Sequence, residues 1–204
     1  MKKLLFLALV ALTTFNLTAQ ETHFGAKLTG SFTSFKASGS FASVWNDNSK
    51  GKINLEIGLV GEFMLSDQFA LATELNYAGE GDVFETSGLK TTIFTSYVQV
   101  PVMAKYYVND NISLNFGPQI GFLMSADSES ELTLNGNTST DSEDIKDQFN
   151  STEFGLNVGA GYKFDNGLFL DLRYTAGLSK LLKDDSTGNL KSSGIKFGIG
   201  YFFK

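Results

Sequence analysis

Thr152-Glu153-Phe154-Gly155-Leu156-Asn157-Val158-Gly159-Ala160-Gly161-Tyr162-Lys163-Phe164 is the stretch on which the fold turns. Every second residue from Phe154 to Phe164 is apolar, and between them stand Glu153, Gly155, Asn157, Gly159, Gly161 and Lys163. A period of two belongs to a β-strand, whose successive side chains point to opposite faces. One face of this strand is therefore apolar, and the other is polar and small. After Asp165-Asn166-Gly167 the pattern resumes, with Leu168, Leu170, Leu172, Tyr174, Ala176 and Leu178 opposing Phe169, Asp171, Arg173, Thr175 and Gly177. The last stretch repeats it: Ile195, Phe197, Ile199, Tyr201 and Phe203 oppose Gly194, Lys196, Gly198, Gly200 and Phe202.

Working outward, the same alternation appears at 23–35, 53–65, 69–79, 97–108 and 112–125, which makes eight stretches with 152–164, 168–178 and 194–203. The gaps between them run long, short, long, short, long, short, long, and the short ones are Ser66-Asp67-Gln68, Asn109-Asp110-Asn111 and Asp165-Asn166-Gly167. A soluble sandwich has no reason to sort its loops in this way. A membrane barrel does, because its turns on one side are tight and its loops on the other are free to grow.

The polar faces choose between a soluble and a membrane barrel. Strand parity assigns Lys27, Lys105, Lys163, Arg173 and Lys196 to them, against Glu56, Glu62, Glu74, Glu153 and Asp171. Five against five is what a packed, water-poor lumen requires, since an unpaired charge there costs several kcal/mol. The apolar faces then meet lipid. The predicted fold is an all-β, eight-stranded antiparallel up-and-down transmembrane β-barrel, just wide enough for its own side chains to fill. Pro101 and Pro118 fall inside strands, where each removes a ladder N–H, so a bulge or a water is expected at each.

The chain opens with Met1-Lys2-Lys3 and the apolar run Leu4 to Leu12, followed by Thr13 to Ala19. This is the pattern of a secretory signal peptide, residues 1–19, with the barrel domain over 20–204. The run is too short to span a bilayer as a helix. The absence of cysteine excludes disulfides and thiolate metal sites. Without Lys2 and Lys3 the chain holds 14 basic against 22 acidic residues, a charge of −8, which argues against nucleic acid as a partner.

Tyr97-Val98-Gln99-Val100-Pro101-Val102-Met103-Ala104-Lys105-Tyr106-Tyr107 and Leu114-Asn115-Phe116-Gly117-Pro118-Gln119-Ile120-Gly121-Phe122 resemble the fourth and fifth strands of the PorT-like outer-membrane β-barrel family of Bacteroidota. Phe24-Gly25-Ala26-Lys27-Leu28-Thr29-Gly30 resembles that family's opening strand, and Gly198-Ile199-Gly200-Tyr201-Phe202-Phe203 its closing one, although this chain ends on Lys204. The resemblance implies an outer-membrane barrel, with accessory subunits of secretion and transport machines among its members. It implies no single activity.

Few residues carry chemistry. The only histidine is His23, and no second titratable group is fixed beside it by sequence, so no catalytic set, cofactor or metal site is expected. The segment 127–150 carries Asp127, Glu129, Glu131, Asp141, Glu143, Asp144 and Asp147 against Lys146. It reads as a solvated acidic loop and a first candidate for partner contact, with Ca²⁺ as a weaker reading. In 36–52, Phe41 and Trp45 suit either a binding surface or an anchor at the lipid interface. Tyr106, Tyr107, Tyr162, Tyr201 and Phe203 suit an aromatic girdle at the short-turn end. Asp185-Ser186-Thr187 resembles a short O-glycosylation signal of Bacteroidota.

The sequence thus points to a non-enzymatic barrel in the bacterial outer membrane, with termini in the periplasm. Its expected partners are outer-membrane lipid and other outer-membrane protein subunits, and its expected role is an accessory subunit of a larger complex. The alternative is a barrel that carries or binds a small or hydrophobic solute.

Overall fold

The three short gaps fold as tight turns, each for a local reason. The Leu65 N–H donates to Phe69 O at 2.8 Å, and the Phe69 N–H to Ser66 Oγ at 3.1 Å. Asn109 Oδ1 accepts from the N–H groups of Asn111 and Ile112 at 3.0 and 2.8 Å, the side-chain mimic of a backbone turn. Gly167 sits at φ 91°, which an L side chain rarely adopts.

In this computed structural model, which describes residues 21–134, 137–184, 186 and 188–203, the turns join long antiparallel strands. They are β1 (Glu21–Gly39), β2 (Lys52–Met64), β3 (Phe69–Thr86), β4 (Leu89–Tyr107), β5 (Ile112–Leu134), β6 (Asn137–Asp144), β7 (Thr152–Lys163), β8 (Leu168–Gly177) and β9 (Gly188–Phe203), with one short helix, α1 (Ala42–Asn48). The hydrogen-bonded order β4-β3-β2-β1-β9-β8-β7-β5 closes on itself through β4–β5, a ring of eight. β1 and β9 seal it from Phe24↔Phe203 to Gly39↔Gly188. Residues 1–19, expected to be the leader, lie outside the described residues, as do Asp185 and Thr187 of the glycosylation-like triplet and the terminal Lys204.

The long gaps depart from the expectation of loops. β3 and β4 continue through 80–96 as a hairpin that turns only between Thr86 and Leu89. β5 runs on to Leu134, and β6 returns along it from Leu134↔Asn137 to Asp127↔Asp144. The ladder of β2 with β3 ends at Glu56↔Ala78, and that of β5 with β7 at Phe122↔Thr152. Beyond those points β3, β4, β5 and β6 form a four-stranded sheet that projects past the ring. The polar composition of these segments hid their strand character.

The prolines are accommodated without a change of register. β3–β4 pairs Thr73 with Val102 and resumes at Asn76↔Gln99, and β4–β5 pairs Pro101 with Gln119 and resumes at Ala104↔Phe116. The one shift in β4–β5 falls instead between Ser96 and Tyr97. A ladder that lapses for two pairs loses the proline's N–H without bending the wall.

The wall is apolar and open to its surroundings: Ile53 is 77% exposed and Leu55 68%, and Phe24, Leu28 and Phe32 line β1 in the same way. Inside, Glu62, Asp82, Gln99 and Asn157 have no accessible surface. A water-soluble protein has the opposite arrangement, whereas a bilayer solvates such a wall. Tyr106, Tyr162, Tyr201 and Phe203 lie on this outer wall. Tyr107 does not. One residue further along β4 its parity reverses, and it is buried in the lumen, a correction to the girdle.

Candidate functional site

The middle of the lumen is built by parity. β8 presents Asp171 and Arg173, β9 Lys196, β1 Lys27, β2 Glu56 and β3 Glu74, all inward and all nearly inaccessible. Arg173 grips Glu74 with two parallel bonds, Nη2 to Oε1 at 2.9 Å and Nη1 to Oε2 at 3.2 Å, and reaches Asp171 Oδ1 at 2.9 Å. Lys27 Nζ lies 2.8 Å from Glu74 Oε2, 3.8 Å from Glu56 Oε1 and 4.0 Å from Asp171 Oδ1. Lys196 Nζ lies 2.8 Å from Glu56 Oε2 and donates to Gln99 Oε1 at 3.0 Å. Six of the ten assigned charges thus form one connected network contributed by five strands. The bidentate Arg–carboxylate geometry is the strongest form such a pair takes.

Glu62 and Lys105 form a separate ion pair nearer the short turns, to which the Tyr107 hydroxyl adds a bond to Glu62 Oε1 at 2.7 Å. His23 belongs here too, with Nε2 3.2 Å from Glu21 and Nδ1 3.8 Å from Glu62. The remaining two assigned charges stand apart. Lys163 rests its ammonium 5.2 Å from the centre of the Tyr107 ring. Glu153 is buried, and its Oε2 accepts no hydrogen bond.

Glu80 and Asp82, in a gap whose composition predicts a loop, are buried in the lumen in step with Glu74 and Asn76 of β3. With them the inward acids are Glu56, Glu62, Glu74, Glu80, Asp82, Glu153 and Asp171 against five bases, so the five-to-five balance does not hold. Neutral donors take the place of cations. Gln99 Nε2 and Ser192 Oγ donate to Glu80 at 2.7 and 2.5 Å. Asp82 accepts from Phe35 N, Ser49 Oγ, Gly51 N and Val83 N, at 2.8, 2.6, 2.8 and 2.8 Å. Carrying the two-residue count past Gly79 would have found both.

Both ends of the lumen are sealed by apolar side chains. At the long-loop end Phe35, Tyr97 and Leu123 from the ring meet Ile145, Phe149 and Leu181 from the connecting segments. The segments are latched by backbone bonds, Ile145 N to Ala126 O at 2.9 Å and Asn150 N to Leu181 O at 2.7 Å. Phe41 and Trp45, both half-buried, pack against this seal, and Trp45 Nε1 donates to Phe35 O at 2.9 Å while its ring stacks on Phe84. At the other end Phe169 and Phe202 pack with their ring centroids 4.5 Å apart and their planes tilted by 31°, in one cluster with Val60. Gly200 makes room for this: a Cβ there would stand 2.2 Å from the Phe169 ring. A cavity of about 30 Å³, space for a water or two, remains beside Asn115, Asp171 and Arg173.

The acidic segment is a projecting hairpin. Asp127, Glu129 and Glu131 stand on β5, and Asp141, Glu143 and Asp144 on β6, whose residues are all exposed and whose outer edge pairs with no described strand. Lys90 of β4 pairs with Glu131 at 2.8 Å, and this hydrogen bond holds the Lys90 ammonium above its ordinary pKa. Among the described residues no three His, Cys, Asp or Glu side chains are grouped to hold a metal.

A model of the outer membrane protein beta-barrel domain matches residues 18–183. No curated protein matches the sequence. Among solved structures the chain is similar to neisserial surface protein A, at 12% identity over 88% of this chain and 97% of that one, with a TM-score of 0.51. It is also similar to Ail, the attachment invasion locus protein of Yersinia pestis, at 12% identity over 89% and 99%, TM-score 0.46. A third is the outer membrane protease OmpT of Escherichia coli, at 10% identity over 93% and 99%, TM-score 0.47. At these identities the likeness concerns the fold alone.

Proposed function

The chain belongs to the outer membrane protein beta-barrel domain family, and from that premise we propose that it is a sealed, non-catalytic barrel serving as an accessory subunit of a larger outer-membrane complex. The motifs around Pro101 and Pro118 support a PorT-like member, and the tight turns support an orientation with the termini in the periplasm. The observation that carries the reading is the lumen. An ion-pair network fills its middle, and Phe35, Phe149 and Leu181 at one end and Phe169 and Phe202 at the other close it. A barrel so plugged does its work with its outside. Projecting from it is the β5–β6 hairpin with Asp127, Glu129, Glu131, Asp141, Glu143 and Asp144, whose open edge suits a partner's extended, basic segment.

Extraction from native membranes under mild detergent tests this. A stable larger species is expected, with planar bilayers silent to the purified barrel. A protein that always runs as a lone monomer removes the subunit reading, and reproducible conductance moves the assignment to transport. A lipid-hydrolase or acyltransferase activity of the purified barrel that is lost in His23→Ala would overturn the non-catalytic reading.

A further inference from the structure

Lys36 of β1 and Lys191 of β9 are register partners. Both share parity with the wall residues Phe32 and Ile195, which pair further down the same ladder, so both point outward from the barrel, and both are exposed. Side chains directly opposite on adjacent strands have Cβ atoms about 5 Å apart, and like charges so placed repel. Nothing in the protein relieves this: among the described residues neither lysine has an ion-pair partner, and neither does the exposed Lys50. Elsewhere the basic groups are engaged, Lys27, Lys105, Arg173 and Lys196 inside the lumen and Lys90 with Glu131 on the projecting sheet.

The three lysines are not scattered. Lys36 and Lys50 flank a surface groove of about 320 Å³ whose remaining lining is Phe32, Ser34, Phe35, Asn46, Ser49 and Gly51, with no carboxylate among them. Asp82, which bonds to the lining residues Phe35, Ser49 and Gly51, is fully buried, its oxygens taken by four donors. The groove has a defined height on the wall. Lys36 stands four residues past Phe32, which at about 3.3 Å per residue and a tilt of 35–45° is roughly 10 Å above the last apolar ring. That is the headgroup layer, within reach of a lysine stem lying along apolar surface.

We propose that Lys36, Lys191 and Lys50 form a binding site for the phosphate of an anionic lipid headgroup at the long-loop rim of the barrel. The phosphate sits between the two facing ammonium groups and turns their repulsion into attraction. Its acyl chains run down the wall over Phe32 and Ile195.

Native mass spectrometry of the intact protein in detergent micelles, titrated with phosphatidylglycerol and with phosphatidylcholine, tests this directly. Wild-type protein is expected to retain the anionic lipid preferentially. The triple variant K36Q/K191Q/K50Q is expected to lose about fivefold in affinity per lysine, on the order of a hundredfold together. K36R/K191R/K50R is expected to keep the preference, and K90Q to leave it unchanged. Equal retention of both lipids by the wild type overturns the proposal with no variant needed, as does a triple variant that is folded and binds like the wild type. Inorganic phosphate is the third probe: binding of free phosphate as tight as that of the lipid, and lost in the triple variant, assigns the site to a soluble anion and overturns the lipid assignment. The single Trp45, one residue from Asn46 in the groove, reports folding of each variant by its fluorescence.

Discussion

The middle of the lumen and its long-loop end solve one problem by different chemistry. In the middle, charge answers charge: Arg173, Lys27 and Lys196 neutralise Glu74, Asp171 and Glu56 across the barrel. Toward the long loops no cation among the described residues pairs with Asp82, and four neutral donors hold it instead, beneath a seal of Phe35, Tyr97, Phe149 and Leu181. The difference follows from what each level has at hand. Mid-barrel, only strand side chains are available, and rigid strands aim them at one another. At the end, the connecting segments supply backbone N–H groups and apolar side chains, which cover the opening and satisfy an anion without a second charge.

The largest effect is expected where a charge loses its partner in the middle. Arg173→Leu leaves Glu74 and Asp171 sharing Lys27, and should cost about 3–5 kcal/mol in denaturant unfolding from micelles. If charge pairing matters more than the residues themselves, Glu74→Leu with Arg173→Leu recovers much of that loss. A double variant as unstable as the single one would break the contrast between the two levels.

Phe149→Ala tests the other level. Removing a buried aromatic costs about 3 kcal/mol, but here the loss falls on closure of the seal and leaves the ring intact. Proteolysis in 137–151 and 179–184 should accelerate while the folded barrel keeps its compact migration on gels. Unfolding of the whole ring at the same rate would show that seal and ring are one cooperative unit.

Asp82→Asn is milder. One carboxylate oxygen becomes an NH₂ facing donors, and the Phe35 N–H or the Gly51 and Val83 N–H groups lose their acceptor, a cost of about 2 kcal/mol. Because Ser49 and Gly51 are held by the same carboxylate, α1 should loosen first, seen as a red shift of Trp45 emission. An unchanged emission with lower global stability would place the role of Asp82 in the ring instead.

The same contrast explains what the sequence revealed. Wall and mid-lumen residues follow one rule, the two-residue period, so 152–164 or 168–178 can be sorted without coordinates. Eight strands, their order of turns and the inward set from Lys27 to Lys196 follow from it. Glu80 and Asp82 were missed because the apolar half of the pattern fades after Gly79: past the membrane, the outer face of β3 no longer needs to be apolar. Tyr107 was misplaced for a related reason. Aromatics at a strand end suit either a girdle or a plug, and only parity with Lys105 separates the two. The seal was hidden because Ile145, Phe149 and Leu181 sit in segments without periodicity, and their meeting place is set by where the strands deliver them.

The smallest effect belongs to the projecting sheet, which lies outside both levels. Lys90 and Glu131 face each other across β4–β5 at 2.8 Å with side chains 43% and 32% exposed, so water and salt screen the pair. Lys90→Gln should leave global unfolding unchanged and alter hydrogen exchange at Thr91 and Ser130 by no more than about twofold. The pH dependence has a definite sign. The bond to Glu131 raises the folded-state pKa of Lys90 above its ordinary value of 10.5, so its contribution is complete below that value and fades only as pH rises through the raised one. Exchange protection in this hairpin, corrected for intrinsic rate, should therefore be flat across neutral pH and weaken only in strong alkali, more in the wild type than in Lys90→Gln. A neutral-pH change of several-fold on removing Lys90 would mean that the sheet is held by charge pairing like the middle of the lumen, and that charge pairing returns beyond the sealed end of the barrel.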